Sequence, residues 1–120
     1  MLRIDLNGKV TMIGTSALPI VIRGVTATGG VWNRMTVGAM GDVALDNVVL
    51  SDAGADYFFL RTVLAISGKA SIENVTITRS GGSCVVLAEM SVVTPRDLAD
   101  GSNGNSFTGC GPMPITNLRP

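Results

Sequence analysis

The chain has 120 residues, and its nine basic and nine acidic side chains give a net charge of zero. This balance argues against the basic surface with which proteins bind nucleic acid or anionic lipid. The apolar fraction of 46 % and charged fraction of 15 % are typical of a folded chain. No apolar run approaches the roughly 20 residues of a membrane-spanning helix. We therefore predict one domain over residues 1–120, with no nucleic-acid partner and no membrane insertion.

A six-residue phrase recurs along the chain, at residues 22–27, 45–50 and 72–77. Each copy begins with an apolar residue, which is followed by a charged residue and then by Gly or Asn. The last three positions are apolar, variable and apolar. Gly24, Asn47 and Asn74 take the third position of the three copies, and a weaker fourth copy begins at Asn105. A tight turn rich in small residues follows each of the first three copies. Internal repeats of this length indicate stacked coils.

The segments between the turns are rich in Val, Ile, Thr and Leu, which favour strands. Fifteen Gly and five Pro would interrupt most helices. A strand that pairs with its counterpart one coil later is parallel to it, so we predict a parallel solenoid of about four coils of 23–27 residues. Residues 94–105 are predicted to protrude as a loop, and residues 111–120 to form a C-terminal tail.

The recurring Gly or Asn has a physical reason. A sharp bend between two short strands needs a residue that tolerates left-handed backbone angles. Stacked Asn side chains can also hydrogen-bond from one coil to the next. We therefore predict that Gly24, Asn47, Asn74 and Asn105 form one structural ladder along a corner of the solenoid.

The phrases at 71–78 and 105–110 resemble coils of the right-handed parallel β-helix proteins of the pectate-lyase-like superfamily. The resemblance covers roughly residues 20–110 and concerns the fold. It implies an all-β, single-stranded right-handed parallel β-helix. Because this family includes pectin-degrading enzymes, phage tailspikes and adhesins, the resemblance does not select one function.

The sequence contains no His, which excludes Ser-His and Cys-His catalysis and His-based zinc sites. Pectate lyases of the resembled family bind calcium through carboxylates on adjacent coils and use Arg as the base. Asp46 and Glu73 share one phase, and Arg34 and Arg61 share another, so Asp46 and Glu73 are weak calcium candidates. The alternative is that Arg23, Asp46 and Glu73 form a solvated row of charges. We predict no catalytic residue and no cofactor.

The spacing between Cys84 and Cys110 is close to one coil. Equivalent positions on adjacent coils lie within disulfide range, and a disulfide would fit an exported protein. The alternative is two buried free thiols. The expected location is extracellular or at the cell surface.

Each tight turn is followed by a segment with apolar residues at consecutive positions, so that both faces of a strand formed there would be apolar. The six residues are Val31, Trp32, Phe58, Phe59, Val85 and Val86. Only one parity of a strand faces the core, so the other should form an exposed apolar interface. The alternative is that the tail at 111–120 covers it. Since solenoid ends also expose strand edges, we expect a homo-oligomer or an adjoining β-helical segment as partner.

These observations favour a non-catalytic structural, adhesion or assembly module within a larger surface protein or oligomer. The alternative is a carbohydrate-binding protein or calcium-dependent lyase that acts on an acidic polysaccharide.

Overall fold

The computed structural model describes residues 2–55, 61–88, 91–93, 98 and 102–119. Their regular secondary structure consists almost entirely of β-strands, and these parallel strands stack into a solenoid of about three turns. The predicted all-β parallel solenoid is therefore confirmed, with about three turns in place of the four expected. The loop predicted at 94–105 falls largely outside the described residues.

Ten strands and one 3₁₀ turn, at Ser102–Gly104, are found in the described parts of the chain. The strands are β1 (Ile4–Leu6), β2 (Lys9–Ile13), β3 (Ile20–Ile22), β4 (Met35–Val37), β5 (Asp42–Ser51), β6 (Thr62–Ile66), β7 (Lys69–Thr78), β8 (Ser83–Leu87), β9 (Ser106–Thr108) and β10 (Ile115–Asn117).

The strands form three walls. Wall 1 contains β1, β4, β6, β8 and β10 in that order. The long strands β5 and β7 bend at Asn47 (φ 54°) and Asn74 (φ 51°). Before the bend they pair with each other and with β2, which makes wall 2; after it they pair with each other and with β3 and β9, which makes wall 3. All these pairs are parallel, so each coil crosses the three walls in turn.

The core is built from columns of inward-facing apolar side chains. Met35, Leu64 and Val85 are register partners in wall 1 and are fully buried. In wall 3, Leu50 pairs with Ile77, and Ile77 pairs with Phe107. Burying one such side chain stabilises the fold by about 1.5–3 kcal/mol. The period-two alternation of the strands therefore decides which residues fill the interior.

The corner between walls 1 and 2 requires glycine. Gly8, Gly41 and Gly68 each precede the register-matched first residues of β2, β5 and β7. A Cβ on Gly41 would lie 2.6 Å from the Leu6 carbonyl oxygen, and one on Gly68 would overlap the Gly38 carbonyl oxygen. A Cβ on Gly8 would meet nothing within 4 Å. Close approach of successive backbones therefore selects glycine in the two inner coils.

The sequence spacing between Asn47 and Asn74 correctly gives the strand register in walls 2 and 3, but it does not give the register in wall 1. It is confirmed between β5 and β7, where Asp42 pairs with Lys69 and Val48 with Val75. In wall 1 the step from Met35 to its partner Leu64 is longer, and the step from Leu64 to Val85 is shorter. The predicted match of Arg34 with Arg61 is therefore wrong. Since β5 and β7 are in register, this mismatch arises at the corner before them: four residues, 38–41, separate β4 from β5, whereas only 67 and 68 separate β6 from β7. The shorter step from Leu64 to Val85 has a different cause, because the chain between β7 and β8 is shorter than the chain between β5 and β6.

Candidate functional site

The corner between walls 2 and 3 holds the predicted asparagines. Asn47 and Asn74 are in register, and both have the left-handed backbone that the bend requires. Their side chains do not simply stack amide on amide. The Nδ2 of Asn47 and the Nδ2 of Asn74 both donate to Oδ1 of Asp46, at 3.0 and 2.9 Å. A carboxylate therefore ties the two coils together at this corner.

Gly24 does not belong to this ladder, and the prediction that it occupies the position equivalent to Asn47 and Asn74 is wrong. The residue in register with Asn47 is Gly14, because Ile13 pairs with Asp46. Gly24 lies one corner further on, since Ile22 pairs with Leu50. A segment between β2 and β3 separates the two corners in the first coil, whereas β5 and β7 pass the bend as single strands.

Asn105 lies one residue beyond the corner, and Gly104 (φ 75°) takes the bend itself. The Asn105 side chain is buried. Its Oδ1 accepts from the Val75 amide at 3.0 Å, and its Nδ2 donates to the Ile72 carbonyl at 3.1 Å. Asn105 therefore satisfies two backbone groups of the preceding coil at the point where β7 bends.

Asp46 and Glu73, the calcium candidates, are register neighbours in wall 2. The Oδ1 of Asp46 accepts two amide hydrogen bonds. Among the described residues, no group of three or more Asp, Glu, Cys or His side chains is placed to hold a metal ion. Asp46 is instead part of the hydrogen-bonded corner with Asn47 and Asn74.

An ion pair between a buried carboxylate and a partly exposed guanidinium, which sequence reasoning missed, lies where wall 3 ends. Asp52 (φ 70°) and Arg79 (φ 55°) follow the register-matched Ser51 and Thr78. Asp52 is 1 % exposed. Its carboxylate accepts from Arg79 Nε at 2.6 Å, from the Ser51 hydroxyl at 3.0 Å and from the Gly24 amide at 3.1 Å. The available signal was an acidic and a basic residue in the same phase of the repeat, each at the start of a tight turn.

These contacts decide the charge state of the pair. Burial would raise the pKa of the Asp52 carboxyl, but the hydrogen bonds from Arg79, Ser51 and Gly24 and the Arg79 charge outweigh burial. The pKa of Asp52 is therefore lowered from its ordinary value of 3.8. The hydrogen bond to Asp52 likewise raises the pKa of Arg79. Asp52 is thus an ionised, structurally engaged carboxylate at neutral pH.

A cleft of about 520 Å³ opens beside this pair. The Arg79 side chain is 43 % exposed and forms part of its wall. Its other lining residues are Arg23, Gly24, Val25, Thr26, Ala27 and Asp52. Two guanidinium groups in one cleft can bind a carboxylate or another anion.

A disulfide joins Cys84, in β8, to Cys110, two residues after β9. The two Cα atoms are 5.2 Å apart, and both residues are buried. The described part of the chain contains no free cysteine. The bond fastens the last coil to wall 1.

The predicted apolar interface is not exposed at the positions that the structure describes. Trp32 is 4 % exposed, and its indole N–H donates to the Ser51 carbonyl at 2.7 Å. It precedes β4, so strand parity does not govern it, and it packs inward. Val85 and Val86 are both buried, and Val31 is half-buried. Phe58 and Phe59 lie outside the described residues.

The alternative prediction is that the tail at 111–120 covers these apolar residues. In the structure the tail is itself part of wall 1. Ile115 in β10 pairs with Val85, so the tail adds a strand at the edge of wall 1. Val86 lies on the outward parity of this wall, in register with Ala65 and Thr116, and is nevertheless buried.

The first coil contrasts with the rest of the core. We call the surface formed by the open side of β1, β2 and β3 the first-coil end. Its inward-facing side chains are only half-buried: Ile4, Leu6, Val10, Met12, Ile20 and Ile22. Their register partners in the second coil are at most 1 % exposed: Met35, Val37, Val43, Leu45, Val48 and Leu50. The interior is therefore covered in the second coil and open in the first.

No family model, curated protein or solved structure matches this chain. Within the described residues, no helix is long and apolar enough to cross a membrane.

Proposed function

We propose that this chain is a non-catalytic structural or assembly module, which joins another β-structured surface through its first-coil end. One observation carries the proposal: the interior side chains of β1, β2 and β3 are only half-buried, whereas their partners one coil later are buried. In the described structure, β1, β2 and β3 each pair with a single strand. Open edges and apolar side chains together suit the addition of further strands.

The engaged carboxylates support a structural role. A general acid or a metal ligand needs oxygen atoms that a substrate or an ion can reach. Asp46 instead accepts from the amides of two coils, and Asp52 accepts from Arg79, Ser51 and the Gly24 backbone. Both carboxylates thus hold corners of the solenoid together.

The disulfide between Cys84 and Cys110 supports an extracellular or cell-surface location, because such bonds persist in oxidising compartments. We also propose that the chain belongs to the pectate-lyase-like superfamily of right-handed parallel β-helices. The three parallel walls and the asparagine corners support this placement. Right-handed crossover between parallel strands is the strongly preferred hand.

Sedimentation equilibrium over a wide concentration range tests the proposal. We expect a mass above the 12.4 kDa of one chain, rising with concentration. In parallel, incubation with polygalacturonate and calcium should yield no unsaturated product. A chain that stays monomeric at millimolar concentration, or that releases unsaturated product in an Asp46-dependent manner, would contradict the proposal.

The cleft beside Asp52 favours a second candidate, binding of an acidic carbohydrate. Arg23 and Arg79 both line it, and sugar carboxylates pair well with guanidinium groups. Titration with oligogalacturonate, followed by NMR, should then shift the amides of 23–27, and Arg23→Gln should weaken binding. Lys69→Gln, which removes one positive charge from wall 2, is the matched control.

A further inference from the structure

We infer that the first-coil end receives a second copy of this chain, joined head to head about a twofold axis that passes through β1. This inference rests on the proposed assembly function and names its partner. Three features carry it: the two ends of the solenoid differ, β1 is self-complementary in charge, and apolar side chains are concentrated in the first coil.

The two ends of the solenoid are unlike. At the far end, Phe107 in β9 and Cys110 are buried, Val93 and Leu98 pack into the same core, and of the interior apolar residues only Ile115 in β10 is half-buried among those described there. At the first-coil end, six interior side chains are only half-buried. Head-to-tail stacking would place an open end on a covered one. In a head-to-head arrangement, the open end of one copy contacts the open end of the other. A twofold axis creates such an interface, in which both copies use the same surface.

The sequence of β1 suits pairing with itself. Arg3 and Asp5 project from the same outer face and form an ion pair at 3.0 Å, with side chains 51 % and 40 % exposed. Antiparallel pairing with Ile4 opposite Ile4 of the second copy sets each Arg3 opposite Asp5 of the other copy. Directly opposed residues of an antiparallel pair lie on the same face, and opposite charges there are favourable. A register centred on Asp5 would oppose two carboxylates and is disfavoured.

The same axis leaves no edge of the first coil unmatched. It maps wall 1 onto itself and exchanges walls 2 and 3, so β2 of one copy meets β3 of the other. Exposed apolar side chains are concentrated in this coil: Leu2, Ile13, Leu18, Val21 and Val25. Together with the six half-buried interior residues, they give the first coil more solvent-accessible apolar side chains than either inner coil shows among the described residues, and such surface favours association.

A charge exchange on β1 tests this geometry. Arg3→Glu makes the strand face acidic and Asp5→Arg makes it basic, and both residues are exposed, so folding is retained. By sedimentation equilibrium, each variant alone should dimerise at least about tenfold more weakly than the unchanged chain, since like charges then oppose each other. An equimolar mixture should restore a species of twice the 12.4 kDa chain mass. Lys69→Glu, an exposed charge reversal in the third coil, should leave dimerisation unchanged.

The outcomes separate this inference from the proposed function. Weak single variants and a restored mixture would support the head-to-head dimer. Equal association of all variants would overturn it while the assembly function stands, because another surface would then be in use. A wild-type chain that remains monomeric would overturn both, and Arg3 and Asp5 would then be charges that guard a strand edge.

Discussion

Replacing Asp52 with Asn should measurably destabilise the fold. Asn keeps the size of the side chain and tolerates the left-handed backbone at this position. What it removes is the charge that receives the Ser51 hydroxyl and the Gly24 amide. A hydrogen bond to a charged group is worth about 1 kcal/mol more than a neutral one, so we expect a loss of about 2 kcal/mol from these two bonds. The half-exposed pairing with Arg79 adds only modestly to it.

The loss should depend on pH. Because the folded-state pKa of Asp52 lies below its ordinary value of 3.8, the unfolded state binds more protons in acid. The stabilisation that the ionised Asp52 gives to the fold is therefore complete above pH 3.8. It is lost as the pH falls through the lower pKa of Asp52 in the folded state. The difference in unfolding free energy between the wild type and Asp52→Asn should accordingly be largest near neutral pH and should shrink in strong acid.

Urea unfolding followed by circular dichroism, at neutral pH and at about pH 3, measures both effects. Asp42→Asn is the matched control, because Asp42 is exposed at the start of β5. It should change stability by less than about 0.5 kcal/mol. The double variant Asp52→Asn/Arg79→Gln should be no less stable than Asp52→Asn, since the guanidinium has already lost its partner. Equal stability of Asp52→Asn and Asp42→Asn, or a difference that does not vary with pH, would refute this reasoning.

Three further substitutions test other parts of the fold by the same urea assay. Gly68→Ala should cost about 1–3 kcal/mol, because its Cβ would overlap the Gly38 carbonyl, while Gly8→Ala at the equivalent open corner should be neutral; similar costs would contradict the proposed corner packing. Asn74→Ala should cost about 1–2 kcal/mol through left-handed strain and the lost bond to Asp46, and Asn74→Gly should cost less; the reverse order would be inconsistent with a left-handed corner. Replacing Cys84 and Cys110 with Ser should cost about 3–4 kcal/mol, the value for a closed loop of this length, whereas a reductant should have no effect on that variant.

The sequence was informative where the chain repeats without interruption. The alternation and the Asn of β5 and β7 predicted two coils in their observed register, because both strands cross the corner without an inserted loop. The position of Gly24 could not be predicted in the same way. In the first coil, extra residues between β2 and β3 shift the phase, and a solenoid tolerates such insertions because each coil contacts only its neighbours.

The side chains missed by sequence reasoning lie where the chain leaves the regular strands. Trp32 precedes β4 and turns inward, which strand parity does not predict. Asp52 and Arg79 meet because their left-handed turns stack, and no repeated phrase contains either residue. The half-buried first coil is a property of the stack as a whole: its inward residues have the same apolar character as their buried partners.

Amide hydrogen exchange of β1, β2 and β3, measured in dilute and in concentrated solution, tests most directly whether the first-coil end is the assembly surface. The account predicts that the amides of these strands that face the open edge, and not the second coil, exchange rapidly in dilute solution and become protected as the concentration rises, while protection in β5 and β7 does not change. Equal exchange of β1, β2 and β3 at all concentrations, in a chain whose mass does increase, would contradict it.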